Sequence, residues 1–173
     1  MASTNNIQNG TSSPSSSCSE YLFDVFLSFG GDTRHGFTDH LYHALVSDKE
    51  IKTFRDNEEL ENGKPIKSEL LEAIEKSRIA VVILSEKYAS STWCLEELAK
   101  ILECTDAGRM GVRPIFYKVE PSDVRNLNWT FGDAFAKLVN PGKERFKKKD
   151  VQRWIEALKR VGHLSGKHLK PNE

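Results

Sequence analysis

From residue 21 onward, short apolar runs alternate with stretches in which apolar residues recur every three or four positions. Residues 23–29 are apolar except for Asp24 and Ser28, which suits a strand covered on both faces. Phe37, Leu41, Ala44 and Leu45 follow at helical spacing, with Asp39, His40 and His43 on the other side. Residues 51–54 predict a short second strand, and residues 56–64 a polar loop. Pro65 is placed for the first turn of a helix carrying Ile66, Leu70, Ala73 and Ile74. Residues 79–84 are apolar throughout and rich in β-branched types, so they predict the centre of a sheet. Ser90, Ser91 and Thr92 supply N-cap types for a third helix burying Leu95, Leu98, Ala99 and Leu102. Residues 112–119 predict a fourth strand, which starts near Pro114 or lies toward an edge. A short helix on Phe131, Ala134, Phe135 and Leu138 precedes a last one on Val151, Trp154, Ile155, Leu158 and Val161, capped by Asp150.

Strands and helices alternating at this spacing predict an α/β, flavodoxin-like three-layer fold. Its mostly parallel sheet has four or five strands with helices on both faces. The expected strand order is 2-1-3-4, with a short fifth strand near Val139. Open sheets of this kind bind ligands beyond the carboxyl ends of the strands, where the strand order reverses. That rule nominates two loops, residues 28–36 and residues 85–93.

Composition narrows the picture. Residues 1–19 hold seven serines and no charge, too polar to offset the entropy of ordering them, which predicts a disordered tail. The domain is then expected over residues 20–166, with 167–173 a C-terminal tail or the start of a linker. The 25 Lys and Arg balance the 25 Asp and Glu, so no global basic field draws the chain to nucleic acid or membrane. Between residues 143 and 173, however, ten basic residues face four acidic ones, a local +6 that leaves −6 for residues 1–142. Lys143, Arg145, Lys147, Lys148 and Lys149 carry most of it. A solvated helix start is the plain reading, and with few interleaved aromatics a nucleic-acid partner is not expected. Three cysteines, an odd number without metal or redox spacing, fit a reducing compartment, and no metal site is expected. The N-terminus has no signal-peptide pattern, and no apolar run approaches the roughly 18 residues of a membrane span.

The first nominated loop carries Gly30, Gly31 and Gly36 around Asp32, Thr33 and Arg34. It matches neither a dinucleotide fingerprint nor a Walker A loop. Glycines would let backbone amides approach a phosphate, with Arg34 supplying charge; a simple turn before a helix is the alternative. On the third helix, about 100° per residue from Leu95 puts Trp93 near 160° and Glu97 near 200°, both away from the main apolar stripe. An aromatic and a carboxylate four residues apart could stack a flat ring and contact a ribose hydroxyl or a developing cation. Alternatively, Trp93 packs under a loop and Glu97 is a solvated charge near a helix N-terminus.

At these residues the chain resembles a plant-type Toll/interleukin-1 receptor (TIR) domain, the N-terminal signalling module of intracellular NLR-type disease-resistance proteins. The matching stretches are residues 21–29, 32–37, 53–56, 88–98 (Tyr-Ala-Ser-Ser-Thr-Trp-Cys-Leu-Glu-Glu-Leu), 114–117 and 121–125, with Glu59, Leu60, Gly63 and Ile66. They run in order through residues 21–166. Two departures stand out. The family's usual Ser-Phe-Arg-Gly-x-Asp-Thr-Arg is one residue shorter here and lacks the first arginine. The family's Gln and Gly after the Val-Arg pair are Leu127 and Trp129.

The resemblance implies cleavage of NAD+ (or NADP+), as substrate and not as bound cofactor, at the nicotinamide–ribose bond. The products are nucleotide signals that trigger defence and cell death through lipase-like helper proteins. By motif position the catalytic residue is Glu97, with Ser91 and Trp93 lining the pocket and Arg34 and Gly31 near the substrate phosphates. The resemblance also implies self-association through TIR–TIR contacts, with this chain or other TIR domains. In the family the first and last helices contribute, through the positions of Asp39 and His40, together with the loop near Trp129, while the polar loop 56–65 gates the pocket. Activity is expected to depend on oligomerisation, and the same resemblance implies location in the cytoplasm, with the nucleus as a second compartment. A non-catalytic adaptor acting only through homotypic TIR contacts is the alternative.

Overall fold

The computed structural model describes residues 20–56, 65–140, 142 and 145–172 of the 173. The sequence-predicted tail 1–19 and loop residues 57–64 lie outside the described residues. Five strands, β1 (Phe23–Phe29), β2 (Thr53–Arg55), β3 (Ser77–Leu84), β4 (Gly111–Tyr117) and β5 (Lys167–Leu169), form one all-parallel sheet in the order β2-β1-β3-β4-β5. This is the expected flavodoxin-like α/β fold, and the expected order 2-1-3-4 is found. The apolar β3 sits at the centre, where a parallel strand is covered on both faces.

The pleat divides the core in two. Phe26, Ala80, Val82, Leu84 and Phe116 face one side and pack with α2 (Ser68–Glu75), α3 (Thr92–Asp106), α4 (Pro121–Asn126), α5 (Trp129–Val139) and α6 (Lys148–His163). Val25, Leu27, Phe29 and Ile83 face the other, against α1 (Phe37–His43) and the π-helical turn Ala44–Asp48 that extends it. Helices α1 and α6 therefore lie on opposite faces of the sheet.

Several local expectations change. Among the described residues no strand forms near Val139, which ends α5; the fifth strand is β5, inside the stretch expected to be a tail. Lys-His-Leu is short and half exposed, an edge strand held by its ladder to Ile115, Phe116 and Tyr117 rather than by an apolar run. Helix α2 starts at Ser68, with extended Lys67 at its N-cap, so Pro65 precedes the helix instead of opening it. Likewise Lys147, not Asp150, holds the N-cap position of α6, and Asp150 lies in the first turn, where its charge meets the positive helix end. Helix α4, made from the Pro-Ser-Asp-Val-Arg motif, has no apolar periodicity to announce it; Pro121 opens it.

Helix α6 is fixed to α3 by polar contacts as well as packing. Glu96 accepts from Trp154 Nε1 at 2.9 Å and from Arg153, and Arg160 donates twice to Asp106. Against α4 the approach is closer still. A Cβ on Gly162 would lie 2.9 Å from the Arg125 backbone nitrogen, and Arg125 donates to the Gly162 carbonyl at 3.0 Å. Gly162→Ala should therefore lower unfolding stability by about 2 kcal/mol or more through forced separation of the two helices. Gly31→Ala, into open space, should change it by less than about 0.5 kcal/mol; urea titration of both variants checks the pair.

Candidate functional site

Both loops nominated by the topology rule meet at the carboxyl ends of β1 and β3, and one acid side chain ties them. Asp32 accepts from Ser85 Oγ at 2.7 Å and from the Lys87 amide at 3.4 Å. Its neighbours finish the turn: Thr33 Oγ1 donates to the Gly30 carbonyl and meets Thr38 Oγ1 at 2.8 Å. Arg34 reaches across to the Asp56 carbonyl at 2.8 Å with its guanidinium 5.0 Å from the Phe29 ring centroid. Each residue of Asp32-Thr33-Arg34 thus has a structural task. Gly30 is required by the same clamp, since a Cβ there would lie 2.7 Å from Asp32 Oδ1 and 3.0 Å from Ser85 Oγ. The shortened loop closes tightly because the position after Phe29 carries no side chain.

Helix α3 brings three predicted residues together. Ser91 is its N-cap, accepting from the Cys94 amide at 3.4 Å, and Trp93 and Glu97 follow on consecutive turns. Both are buried, Glu97 at 4% exposure, which rules out the solvated-charge alternative. Their wheel positions, opposite Leu95, are enclosed because α3 lies between the sheet and α6, and little of its circumference meets solvent. The two adjacent acids separate cleanly: Glu96 is taken by Arg153 and Trp154 of α6, while Glu97 points to β1.

There Glu97 Oε2 lies 2.6 Å from Ser28 Oγ, which lies 2.8 Å from Tyr88 Oη, which donates to the Cys94 carbonyl at 3.0 Å. The Cys94 thiol donates to the Phe29 carbonyl, and burial pushes its titration far up. Burial also pushes the Glu97 carboxyl up to about 8, against the hydrogen bond from Ser28; Asp56 adds to the rise and Arg34 opposes it. Motif reading included Ser28 and Tyr88 in the matching stretches but gave neither a role in the site. The signal for Ser28 was present: a polar residue two positions beyond Phe26, on the buried face of a strand ending at the switch point.

The remaining predicted residues lie elsewhere. Gly31 is exposed in the 3-10 turn Gly31–Thr33. Asp39 on α1 is bound by Arg55 at 2.7 Å, and that guanidinium, which also covers the Tyr42 ring, holds the carboxyl below its ordinary value. His40 is exposed, its Nδ1 2.8 Å from the Gly36 carbonyl. Trp129 opens α5, on the opposite side of the sheet from α1, with φ 52° and 78% exposure. A surface cleft of about 470 Å3 runs between the turn Tyr88–Ser90 and α5, lined by Lys87, Ser90, Asp133 and Lys137 among others. Glu97 and Trp93 do not line it.

Residues 22–172 match the TIR domain family profile. The chain is 48% identical over 171 residues, 98% of its length, to disease resistance protein RPV1 of Vitis rotundifolia. It is 49% identical over 153 residues, 88% of its length, to TMV resistance protein N of Nicotiana glutinosa. It spans only 12% and 13% of those two proteins. Among solved structures, the TIR domains of the activated Roq1 resistosome, which directly recognizes the pathogen effector XopQ, superpose with TM-score 0.73 at 49% identity. That match covers 85% of this chain and 87% of the other.

Burial of Glu97 has a thermodynamic consequence. Its folded-state value near 8 lies above the ordinary 4.5, so the folded chain holds this proton more tightly than the unfolded chain does. Stability therefore falls as pH rises from about 4.5 to about 8, by a total on the order of 5 kcal/mol, and levels off above. Glu97→Gln should remove that slope and be the more stable protein at alkaline pH. Urea unfolding of both across this window checks it, and parallel profiles would show that the carboxyl is not titrating in the core.

Proposed function

The chain belongs to the TIR domain family, and on that premise we propose that it is an immune-signalling module that self-associates and cleaves NAD+ at the nicotinamide–ribose bond. The observation that carries the reading is the buried carboxyl of Glu97, beside Trp93 on α3 and facing the carboxyl end of β1 at the switch point of the sheet. Two independent lines meet there: the topological rule for ligand sites and the motif order of the family.

The chemistry needs one carboxylate. Nicotinamide leaves as a neutral base, because the bond electrons from C1′ neutralise the pyridinium nitrogen, so departure requires no general acid. Glu97, ionised, would stabilise the oxocarbenium-like ribosyl centre, and water adding to C1′ would release a proton to give ADP-ribose. Trp93 offers a flat apolar wall for the leaving ring. Arg34 supplies positive charge for a phosphate, once released from the Asp56 carbonyl.

Glu97 and Trp93 are closed off in the single chain, so the reading requires opening of the pocket, and assembly is its source in this proposal. Relatives named as resistance proteins and the resistosome TIR domains support both the immune role and TIR–TIR contact. Trp129, exposed at a left-handed backbone position where the family has glycine, is assigned to one contact surface. Asp39 and His40 on the other side of the sheet are assigned to a second. Among the described residues no helix is long and apolar enough to cross a membrane.

Two outcomes test this reading. Protein clustered at high concentration should consume NAD+, with kcat/KM rising toward about pH 8 as Glu97 ionises, and Glu97→Gln should lose about 100-fold or more. Demonstrated assembly without NAD+ consumption would instead establish the adaptor alternative. Trp129→Gly should relieve about 1 kcal/mol of backbone strain while weakening self-association measured by analytical ultracentrifugation. Unchanged association would remove Trp129 from the interface.

A further inference from the structure

Three oxygen–oxygen contacts run in series behind the candidate catalytic carboxyl: Glu97 to Ser28, Ser28 to Tyr88, and Tyr88 to the Cys94 carbonyl, at 2.6, 2.8 and 3.0 Å. All three side chains are buried. Each contact needs one proton, and Ser28 and Tyr88 bring two between them. With Glu97 ionised, three contacts share two protons, and one pair of oxygens meets lone pair to lone pair. With Glu97 neutral, its own proton is the third. A single chain then runs from Glu97 through Ser28 and Tyr88 to the Cys94 carbonyl, each hydroxyl accepting once and donating once.

We propose that Ser28 and Tyr88 are positioning residues acting on Glu97 in opposite senses: Ser28 supports the carboxylate by donating to it, and Tyr88 supports the neutral acid by completing the chain. The functional meaning rests on the NAD+-cleavage reading. In the resting pocket the chain holds Glu97 uncharged among apolar neighbours. Arrival of a cationic nicotinamide ring favours loss of the Glu97 proton to solvent, and the Ser28 hydroxyl turns to hold the carboxylate where the ribosyl cation develops.

Among the described residues, the other charged or titratable groups around Glu97 come from the β1–α1 loop, the end of β2 and α3 itself. Arg34 from the β1–α1 loop favours the carboxylate, and Asp56 after β2 favours the neutral acid. The Cys94 thiol on α3 is committed to the Phe29 carbonyl, and Asp32 to Ser85 and the Lys87 amide. None of these contacts involves the Ser28 or Tyr88 hydroxyl, so removing either hydroxyl isolates the relay.

The test is a carboxyl-carbon NMR titration of the nucleotide-free chain labelled at glutamate, with the Glu97 resonance identified by its loss in Glu97→Gln. Wild type should titrate near 8. Ser28→Ala should move the midpoint up and Tyr88→Phe should move it down, each by about half a unit to one unit, a 3- to 10-fold change in proton affinity. Ser28→Cys, a weaker donor of similar shape, carries the same expectation as Ser28→Ala should that variant fail to fold. A purely structural role would loosen packing and admit water, moving every variant downward. Shifts of the same sign, or none, overturn the proposal. Because the titration needs no turnover, a wild-type protein that fails to cleave NAD+ would defeat the functional reading while leaving the relay decided on its own. Where cleavage occurs, the acid limb of kcat/KM should move with each midpoint.

Discussion

The burial of one carboxyl between β1 and α3 is the constraint around which the rest of the structure is arranged. A carboxyl in an apolar core is costly unless its lone pairs are met or it keeps its proton. Here Ser28 must stand within hydrogen-bond reach of it and Tyr88 within reach of Ser28, which ties β1 to α3 and to the loop leading into α3. The Asp32–Ser85 contact then holds the two switch-point loops together above it. Stability is given up at this point wherever the carboxyl is ionised.

Much of the fold was legible because the strands carry strong local signals. Residues 79–84 carry the strongest strand pattern in the chain, and Ser91 ahead of Leu95 and Leu98 is a natural helix opening. The edge of the sheet was not legible, since Lys167, His168 and Leu169 are held by a ladder to β4 and not by their own hydrophobicity. The same holds for α4, where Pro121 and the left-handed Leu127 delimit a helix of one and a half turns. Local sequence reports propensity and periodicity, whereas these elements depend on partners more than forty residues away or on the loop beside them.

The site divides along similar lines. Position in a motif led to Glu97, Trp93 and Ser91, and the topology rule led to the same loops. A helical wheel drawn about Leu95 made Glu97 look outward, because a wheel knows one partner surface and α3 has two. Arg34 was read as a ligand for phosphate, and in the closed chain it anchors the segment at Asp56. Asp39, read as a surface residue, is engaged by Arg55. In each case the missing information was a contact between elements distant in sequence.

The adjacent acids of α3 carry a mechanical consequence. Glu96 is fastened to Arg153 and Trp154 on one side, and Glu97 is hydrogen-bonded to Ser28 on the other. Helix α3 is therefore a rigid rod pinned at neighbouring residues to α6 and to the sheet. Any rearrangement that carries α6 along the axis of α3 must therefore either break the Glu96 contacts or strain the residue next to Glu97.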